Sequence, residues 1–292
     1  MVEFCRVVLV TFPAGRYHTG DPAATRGRME RRAVMTTPAA TPRLAVVSGA
    51  ASGIGQATAE LLLSRRHAVL VTDLRDDGLA GLVAAGARTV GADLSTPEGR
   101  AAVVAAVDAF ALEVATPIRW LVNAAGVIVL KPITEVDVED FRHVFATNAE
   151  STFFLCQQLG ARMTSGGAIV NFSSPSAKVV ATTEAAVYAA TKAAISQITR
   201  SFATAYAPRG IRVNAISPGI TDTPMQARVL REVSASRGTS VEKLAAARLT
   251  TVPMGRTAPA SEMAGVVAWL LSDEAAYVTG QVINVDGGMV MW

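Results

Sequence analysis

The sequence predicts a doubly wound α/β domain, in which helices cover both faces of a parallel sheet. Short apolar runs alternate with longer segments of helical periodicity from Leu44 onward, and a glycine-rich turn follows the first run. Half of the 292 residues are hydrophobic, while only 17% are charged. A strand buried on both faces reads as a continuous apolar run, and strands that alternate with helices form parallel βαβ units. The apolar content is sufficient for the core of one large domain.

The predicted strands and helices follow one another without a linker that would divide residues 44–292. Apolar runs bounded by turn residues predict strands, and these lie at Leu44–Ser48, Ala68–Asp73, Thr89–Asp93, Ile118–Asn123, Ala168–Ser173 and Ile211–Ser217. Helical periodicity predicts helices at Gly53–Arg66, Leu79–Ala85, Thr96–Val114, Val138–Met163 and Ala186–Tyr206. Pro97 suits the first position of its helix, where no N–H partner is needed.

Residues 1–43 differ from the rest of the chain in composition. They hold seven Arg and three acidic residues, a net charge of +4, so the remainder of the chain carries −1 of the total of +3. Scattered Pro and Gly predict a disordered or loosely attached extension. A targeting role is one alternative, and a start at Met29 or Met35 is another. Because the basic charge belongs to the extension, the body offers no reason to expect nucleic-acid binding.

Several other functions find no support in the sequence. No apolar stretch approaches the ~20 residues of a membrane span, so we expect no membrane insertion. Cys5 and Cys156 lie far apart, which fits a reducing, cytoplasmic environment. The histidines, at 18, 67 and 143, are isolated and have no metal-ligand spacing. We therefore expect a cytoplasmic protein without a metal site.

The turn after the first predicted strand has the spacing expected of a phosphate-binding loop. It contains Gly49, Gly53 and Gly55, with Ser52 and Ile54 between them. Glycine lets the backbone turn tightly and approach a phosphate without a Cβ in the way. The helix that follows presents free N–H groups and its positive dipole end. A dinucleotide site is predicted here, although a strand-to-helix turn without a ligand has the same composition.

Asp73 ends the second predicted strand, eighteen residues after Gly55. An acid near this offset accepts hydrogen bonds from the adenosine ribose and repels a 2′-phosphate, which favours NAD over NADP. Arg75 lies close enough in sequence to meet a 2′-phosphate instead. Asp73 could also cap a helix that starts near Asp76.

Tyr188 and Lys192 are four residues apart in a predicted helix, so both side chains lie on one face. A phenol titrates near ~10 and is a poor acid or base at neutral pH. A neighbouring ammonium lowers that pKa, and proton transfer is most efficient when the pKa lies near the operating pH. The pair predicts a proton-transfer group. Taken alone, the pair also fits two residues on the solvent-exposed edge of a half-buried helix.

Together these motifs resemble the short-chain dehydrogenase/reductase family over residues 44–292. The segments that carry the resemblance are, in chain order, Gly49…Gly53-Ile54-Gly55, Asp93-Leu94, Asn123-Ala124-Ala125-Gly126, Asn148, Ser173-Ser174, Tyr188…Lys192, Ser217-Pro218-Gly219 with Thr223, and Val285-Asp286-Gly287-Gly288. The resemblance implies a single Rossmann-type domain with a seven-stranded sheet. It also implies hydride transfer between NAD(H) and a small secondary alcohol or ketone, and a homotetramer.

The resemblance assigns catalytic roles to Asn148, Ser174, Tyr188 and Lys192. Ser174 would bond the substrate oxygen, and Tyr188 would give or take its proton. Lys192 would lower the pKa of the phenol and bind the nicotinamide ribose, while Asn148 would loosen its helix and help to hold a water. Tyr188 lies fourteen positions after Ser174, about one more than is usual in the family. Ser173 would lengthen this gap further, so Ser174 is preferred, with Ser173 as the alternative.

The resemblance also implies a set of cofactor contacts. Asp93 would hold the adenine, although it could instead cap the helix that begins at Pro97, and Ile220 with Thr223 would hold the carboxamide. The full set is Gly49, Ser52, Gly53, Ile54, Gly55, Asp73, Asp93, Leu94, Asn123, Ala124, Ala125, Gly126, Tyr188, Lys192, Pro218, Gly219, Ile220 and Thr223.

The segment near 224–256 corresponds to the family's substrate lid. Its mixture of apolar residues and arginines predicts an amphipathic helix over the pocket. Two alternatives to an alcohol dehydrogenase remain open. One is a 3-oxoacyl-thioester reductase, and the other is a dinucleotide-binding regulator without catalysis.

Overall fold

The computed structural model describes residues 42–74, 77–180 and 182–292. The prediction of a loosely attached extension falls almost entirely on residues outside these ranges, and so do the alternatives that involve Arg75 and Asp76.

Seven parallel strands form the central sheet in the order β3-β2-β1-β4-β5-β6-β9. Two short strands, β7 and β8, pair separately. The strands are β1 Leu44–Ser48, β2 Ala68–Asp73, β3 Arg88–Gly91, β4 Ile118–Asn123, β5 Ala168–Phe172, β6 Arg212–Pro218, β7 Thr221–Asp222, β8 Ala258–Pro259 and β9 Val282–Val285. This sheet confirms the predicted fold class, and its strand order reverses between β1 and β4.

Helices cover both faces of the sheet. They are α1 Gly53–Ser64, α2 Ala80–Ala84, α3 Pro97–Glu113, α4 Val138–Phe145, α5 Ser151–Arg162, α6 Ala186–Tyr206, α7 Pro224–Ser236, α8 Val241–Leu249 and α9 Ala260–Leu271. Alternate residues of β1 enter different cores. Leu44 and Val46 pack with the side chains of α3 and α5, whereas Ala45 and Val47 pack with those of α1 and α9. All four are fully buried, as expected for a strand between two helical layers.

Two predicted helices differ from the structure. The segment Val138–Met163 is interrupted by a π-helical turn at Ala146–Glu150. The segment predicted as one amphipathic lid helix forms two, α7 and α8. Gly238 has a φ of +59° between them, and the Ser240 hydroxyl accepts a hydrogen bond from the Lys243 N–H at 3.2 Å to begin α8. A left-handed residue ends a helix, and a capping serine starts the next.

Candidate active site

The candidate site lies at the carboxyl edge of the sheet, around the reversal of strand order. The strands β1, β4, β5 and β6 are parallel neighbours, so the loops that follow them meet at one edge. In doubly wound sheets, ligands bind outside the carboxyl ends of the strands at such a reversal. The topology therefore brings together the glycine turn, residues 123–126, the two serines and residues 218–219.

Tyr188 and Ser174 lie beside each other at this edge, close enough for the Ser174 hydroxyl to act on the Tyr188 phenol. Tyr188 lies in the first turn of α6, and Ser174 begins the 3₁₀ turn Pro175–Ala177 after β5. Part of Tyr188 is accessible to solvent, but protein atoms surround the phenol. This desolvation raises the pKa of Tyr188, and the nearby Ser174 hydroxyl only partly offsets it. The phenol is therefore protonated at neutral pH.

Lys192 lies one turn further along α6 and is 5% exposed. Its Nζ donates to the Phe172 carbonyl at 2.8 Å and lies 5.4 Å from the centroid of the Tyr188 ring. Burial lowers the pKa of Lys192 to about 8. The net pKa of Tyr188 is thus raised where a lowered value was expected, because the Lys192 ammonium bonds to the Phe172 carbonyl and desolvation of the phenol dominates.

The two adjacent serines have different surroundings. The Ser173 hydroxyl donates to the Lys192 carbonyl at 3.1 Å and lies 2.8 Å from the Ser196 hydroxyl, so it ties β5 to α6. The Ser174 hydroxyl accepts from the Ser176 N–H at 3.2 Å and reaches Tyr188. Of the two serines, Ser174 is the one that could also contact a substrate beside Tyr188.

Asn148 lies in the π turn between α4 and α5 and is fully buried. Its Oδ1 accepts from the Val127 N–H at 2.8 Å, and its Nδ2 donates to the Val127 carbonyl at 2.9 Å. The same Nδ2 donates to the Thr191 hydroxyl at 3.0 Å. Because π turns inside α-helices often mark functional sites, this amide clamp fits the predicted importance of Asn148.

Steric contacts require glycine in the first loop. A Cβ on Gly49, which has a φ of +67°, would lie 2.6 Å from the Ala125 nitrogen. A Cβ on Gly55 would overlap the Gly49 carbonyl oxygen. Ser52 precedes α1 without using its hydroxyl as a cap, and the first turn of α1 contains no acidic residue. Such an N-terminus fits an anionic phosphate. Ile54 differs from these residues, since its side chain packs against the core.

Asp73 fastens the end of β2 to this loop. Its Oδ2 accepts from the Ala51 N–H at 3.0 Å, and its Oδ1 accepts from the Leu74 N–H at 2.8 Å. The carboxylate is partly exposed. The Asp73 carboxylate is therefore fixed next to the glycine loop, as expected for a residue that contacts the adenosine ribose.

Asp93 and Leu94 follow β3. The Asp93 carboxylate accepts from the Ser95 hydroxyl at 2.6 Å, and this bond is the main reason that its pKa is lowered. The alternative in which Asp93 caps α3 is wrong, because the hydroxyl of Thr96 accepts the capping bond from the Gly99 N–H at 3.0 Å. Leu94 packs into the core below.

The segment after β4 brings small residues past the site. A Cβ on Gly126 would lie 3.4 Å from the Asn148 Oδ1 and 3.6 Å from the Lys192 Nζ. Ala124 and Ala125 precede it, and the Ala125 N–H donates to the Ser48 hydroxyl at 3.3 Å. This backbone can be approached closely.

The Asn123 side chain differs from its neighbours and points into the core. Its Nδ2 donates to the Asn171 Oδ1 at 2.8 Å and lies 3.3 Å from the Cys156 Sγ. Burial raises the pKa of Cys156 to about 12. The thiol therefore stays protonated and is a poor nucleophile.

The loop after β6 closes the opposite side of the site. The Gly219 N–H donates to the Val285 carbonyl at 3.0 Å. Thr223 caps α7 by accepting from the Gln226 N–H at 3.3 Å, and its methyl group would lie 3.2 Å from a Cβ on Gly53. The start of α7 therefore lies beside the glycine loop. Pro218 ends β6, and Ile220 is buried after it.

Some residues that support the site were not predicted. Thr191 accepts from the Asn148 amide; it precedes Lys192, and its hydroxyl in a helix interior was a usable signal. The Lys178 Nζ donates to the Asn284 Oδ1 at 2.9 Å and also bonds to the Trp292 carbonyl oxygen, which connects the serine loop with β9 and the end of the chain. Because these residues are more than 100 positions apart, no local sequence pattern predicts their contact.

Other kinds of site find little support. Within the part of the chain that the structure describes, no three His, Cys, Asp or Glu side chains group to hold a metal ion. Across residues 42–74, 77–180 and 182–292, no helix is long and apolar enough to cross a bilayer. A cavity of about 670 Å³ lies between Lys178, β9 and the last residues, and neither Tyr188 nor Lys192 lines it.

Comparison with known proteins finds a match of residues 49–290 to the family described as Enoyl-(Acyl carrier protein) reductase. Cis-4-hydroxycyclohexanecarboxylate dehydrogenase from Sinomonas cyclohexanicum is 39% identical over 257 residues, which cover 84% of this chain and 96% of that protein.

Two crystal structures resemble the chain in both fold and sequence. A short-chain dehydrogenase/reductase from Brucella melitensis, described as a glucose/ribitol dehydrogenase, superposes with a TM-score of 0.75 at 33% identity over 86% of this chain and 97% of its own. A variant of actinorhodin polyketide ketoreductase with NADPH superposes with a TM-score of 0.78 at 32% identity over 86% and 98%.

Proposed function

Because this chain belongs to the short-chain dehydrogenase/reductase family, we propose that it transfers a hydride between NAD(H) and a secondary alcohol or ketone. The carrying observation is that Tyr188 lies beside Ser174 and within 5.4 Å of the buried Lys192 Nζ, at the sheet edge that also holds the glycine loop. Asn148, on the other side of Lys192, is proposed as the residue that shapes this site. Relatives that act on alcohols support the reaction class.

The backbone of the glycine loop fits a dinucleotide, since a Cβ at Gly49 or Gly55 would fill the cradle. We propose that this loop and the first turn of α1 hold the pyrophosphate. The loops that contain Asp93, residues 123–126 and residues 218–223 would surround the rest of the cofactor. When bound, the nicotinamide supplies or accepts the hydride.

The side chains of this chain would handle the proton. In carbonyl reduction, the protonated Tyr188 phenol donates its proton to the carbonyl oxygen, while the Ser174 hydroxyl donates a hydrogen bond to the same oxygen. Lys192 is mostly protonated at pH 7, because its pKa is about 8. Its charge would stabilise the phenolate that forms. In alcohol oxidation, the phenolate accepts the alcohol proton, and the order is reversed.

Replacing Tyr188 with Phe tests the assignment. The change removes the acidic hydroxyl and keeps the ring, so we expect turnover to fall by roughly 10²- to 10⁴-fold while cofactor binding, measured by fluorescence titration, stays nearly intact. Tyr206→Phe is the matched control on the same helix, because the Tyr206 hydroxyl bonds to the Cys156 carbonyl, away from the site. Full activity in Tyr188→Phe would refute the proton-transfer role.

We propose that NAD is preferred over NADP because the Asp73 carboxylate lies beside the glycine loop. Asp73→Asn keeps an oxygen that can accept from the Ala51 N–H and removes the charge. The ratio of kcat/KM for NAD to that for NADP should exceed one in the natural protein and fall by roughly tenfold in the variant, as expected for one repulsive charge. An unchanged ratio would show that Asp73 does not discriminate.

A second candidate is reduction of a 3-oxoacyl thioester, which the likeness to a polyketide ketoreductase favours. That enzyme was solved with NADPH, so a preference for NADPH together with acetoacetyl-thioester turnover would support this alternative. A panel of cyclic hydroxy acids, sugars, sugar alcohols and acyl thioesters, each with both cofactors, separates the two candidates.

We also propose that residues 224–256 form the substrate lid and that the protein is a homotetramer. The lid assignment rests on the position of α7 beside the glycine loop, where Thr223 approaches Gly53. The tetramer rests on family membership and on exposed aromatic side chains, among them Phe141 and Phe153.

A further inference from the structure

Helix α7 bridges the two loops that frame Tyr188. The Arg228 Nη2 donates to the Ile128 carbonyl at 2.6 Å, in the loop after β4. At the other end, the Arg237 Nη2 donates to the Thr182 hydroxyl at 3.3 Å and lies 3.5 Å from the Glu184 carboxylate, just before α6. The start of α7 also lies beside the glycine loop, where the Thr223 methyl group would be 3.2 Å from a Cβ on Gly53.

Arg248 lies on the half-buried face of α8, together with Leu244 and Leu249. Its Nη1 donates to the Gln226 Oε1 at 3.2 Å. Gln226 belongs to the first turn of α7, so this bond directs the guanidinium towards the end of α7 that borders the glycine loop. Among the residues that the structure describes, no carboxylate lies within ion-pair distance of Arg248.

Two other arginines that burial desolvates, Arg212 and Arg100, are better satisfied. Arg212 donates to three carbonyl oxygens, those of Leu270, Leu271 and Ser272. Arg100 pairs with Glu150 at 2.8 Å and donates to a carbonyl as well. A guanidinium has five N–H donors, and a buried cation without a counter-charge is unfavourable. Arg248, with one bond to a neutral amide, is less well compensated than either of these two.

The acids that contact α7 are already paired with its own arginines. Glu232 lies 3.0 Å from Arg228, and Glu184 lies beside Arg237. Glu242, on the same helix as Arg248, is exposed. Burial lowers the pKa of Arg248, and the positive charge of Arg237 lowers it further. An anion that entered beneath α7 would relieve both effects.

We propose that Arg248 and Gln226 bind the carboxylate of the substrate, at a distance from the carbon that reacts at Tyr188. The substrate class is then a hydroxy acid or oxo acid, whose carboxylate accepts two parallel hydrogen bonds from the guanidinium. This inference rests on the hydride-transfer function proposed above. Arg237 adds positive charge at the rim, and Glu184 limits the space for anions on that side.

The test compares a hydroxy acid with its carboxamide, a pair that differs only in charge. We use 4-hydroxycyclohexanecarboxylate and its amide. We expect kcat/KM of the natural protein to favour the acid by roughly 10-fold or more, as expected for a charge-assisted bidentate pair. Arg248→Met should lower kcat/KM for the acid by that factor and leave the amide within about threefold. Arg231→Met is the control, since Arg231 is exposed on α7.

A second readout does not require turnover. Cyclohexanecarboxylate, which has no reactive hydroxyl, should bind to the NAD-loaded protein in calorimetry and bind at least tenfold more weakly to Arg248→Met. Circular dichroism melts would confirm that both arginine variants fold. Equal losses for acid and amide with a raised KM for NAD would assign Arg248 to the cofactor phosphates and overturn the proposal, as would unchanged carboxylate binding. If every alcohol and ketone were inactive while the carboxylate still bound, the proposed function would fail and the anion site would stand.

Discussion

At the scale of single residues, burial decides the charge state of the proposed catalytic pair. It raises the pKa of the Tyr188 phenol and lowers that of Lys192 to about 8. Both shifts disfavour the charged form, as desolvation does. The site at neutral pH therefore holds a neutral phenol and a lysine that is close to its titration point. This state is ready for carbonyl reduction, whereas alcohol oxidation requires prior loss of the phenol proton.

The lowered pKa of Lys192 makes a prediction about stability. The unfolded chain binds this proton up to its ordinary pKa of 10.5, and the folded chain releases it near 8. Between those values the unfolded state binds more protons, so the contribution of Lys192 to stability rises with pH. We expect the stability of Lys192→Met, relative to the natural protein, to decline by up to about 3 kcal/mol between pH 8 and 10.5.

Urea unfolding at several pH values measures this difference. The matched control is Lys243→Met, which removes a lysine from the exposed side of α8. Lys192→Met also removes the bond to Phe172, but that loss shifts its curve by a nearly constant amount. A difference between Lys192→Met and the natural protein that does not change with pH would contradict the prediction.

Residue types in sequence indicated the site but not its electrostatics. The four-residue spacing of Tyr188 and Lys192 placed both on one helix face, which α6 bears out. The direction of the Tyr188 pKa depends on how many protein atoms surround the phenol, and spacing carries no such information. Likewise, Ser173 and Ser174 are adjacent in sequence. Only the packing of α6 on β5 shows that Ser173 is held by Lys192 and Ser196.

At the scale of elements, the π turn joins three parts of the site. Asn148 lies in the turn, and its amide holds both backbone groups of Val127 and the hydroxyl of Thr191. The loop after β4 and the helix that contains Tyr188 and Lys192 are thereby fixed to one side chain. Rigid support of this kind keeps reactive groups in position.

Asn148→Ala should therefore destabilise the protein by about 2 kcal/mol, because two backbone groups of Val127 lose their partner. We expect Thr191→Val to cost about 1 kcal/mol, because it removes one acceptor of the Asn148 amide and the bond from the Thr191 hydroxyl to the Tyr188 carbonyl, but leaves both bonds to Val127. Chemical unfolding of both variants measures which of the two loses more stability. If the two variants lost equal stability, the clamp on Val127 would not be the main contribution of Asn148.

The elements themselves were predicted unevenly. β2 and β4 match the sequence at both ends, because strands buried between two helical layers are largely apolar and have clear boundaries, although β4 contains Arg119. The resemblance implied a loosened helix at Asn148, but the π turn itself was not predicted, because the composition of Ala146–Glu150 does not distinguish it from an α-helix. The break between α7 and α8 was also missed, although Gly238 and Ser240 are recognisable end and start signals.

At the scale of the whole molecule, the site is a meeting of loops whose positions the sheet sets. The parallel sheet places four strand ends side by side, and two apolar cores pack on its opposite faces. The loops can therefore differ between relatives while the strand ends stay in place. This organisation explains why the family and fold were readable from sequence and the substrate was not.

The homotetramer is the prediction that belongs to this scale. Exposed apolar side chains occur on α4 and α5, at Phe141 and Phe153, and again at Trp269 and near the end of the chain. Patches on two separate sides suit two different subunit contacts. Light scattering at micromolar concentration should give four times the 30.4 kDa chain mass. A mass equal to one chain would contradict the tetramer.

The π turn also sets the angular phase between two helices. It takes up one more residue per turn than an α-helix, by widening locally. Val144 and Leu155 both face the core on either side of this turn. An α-helix advances about 100° per residue, so a regular helix of the same length would rotate α4 by about that angle and turn Val144 away from the core. Insertions in this segment that the π turn cannot absorb should therefore be tolerated worse than substitutions.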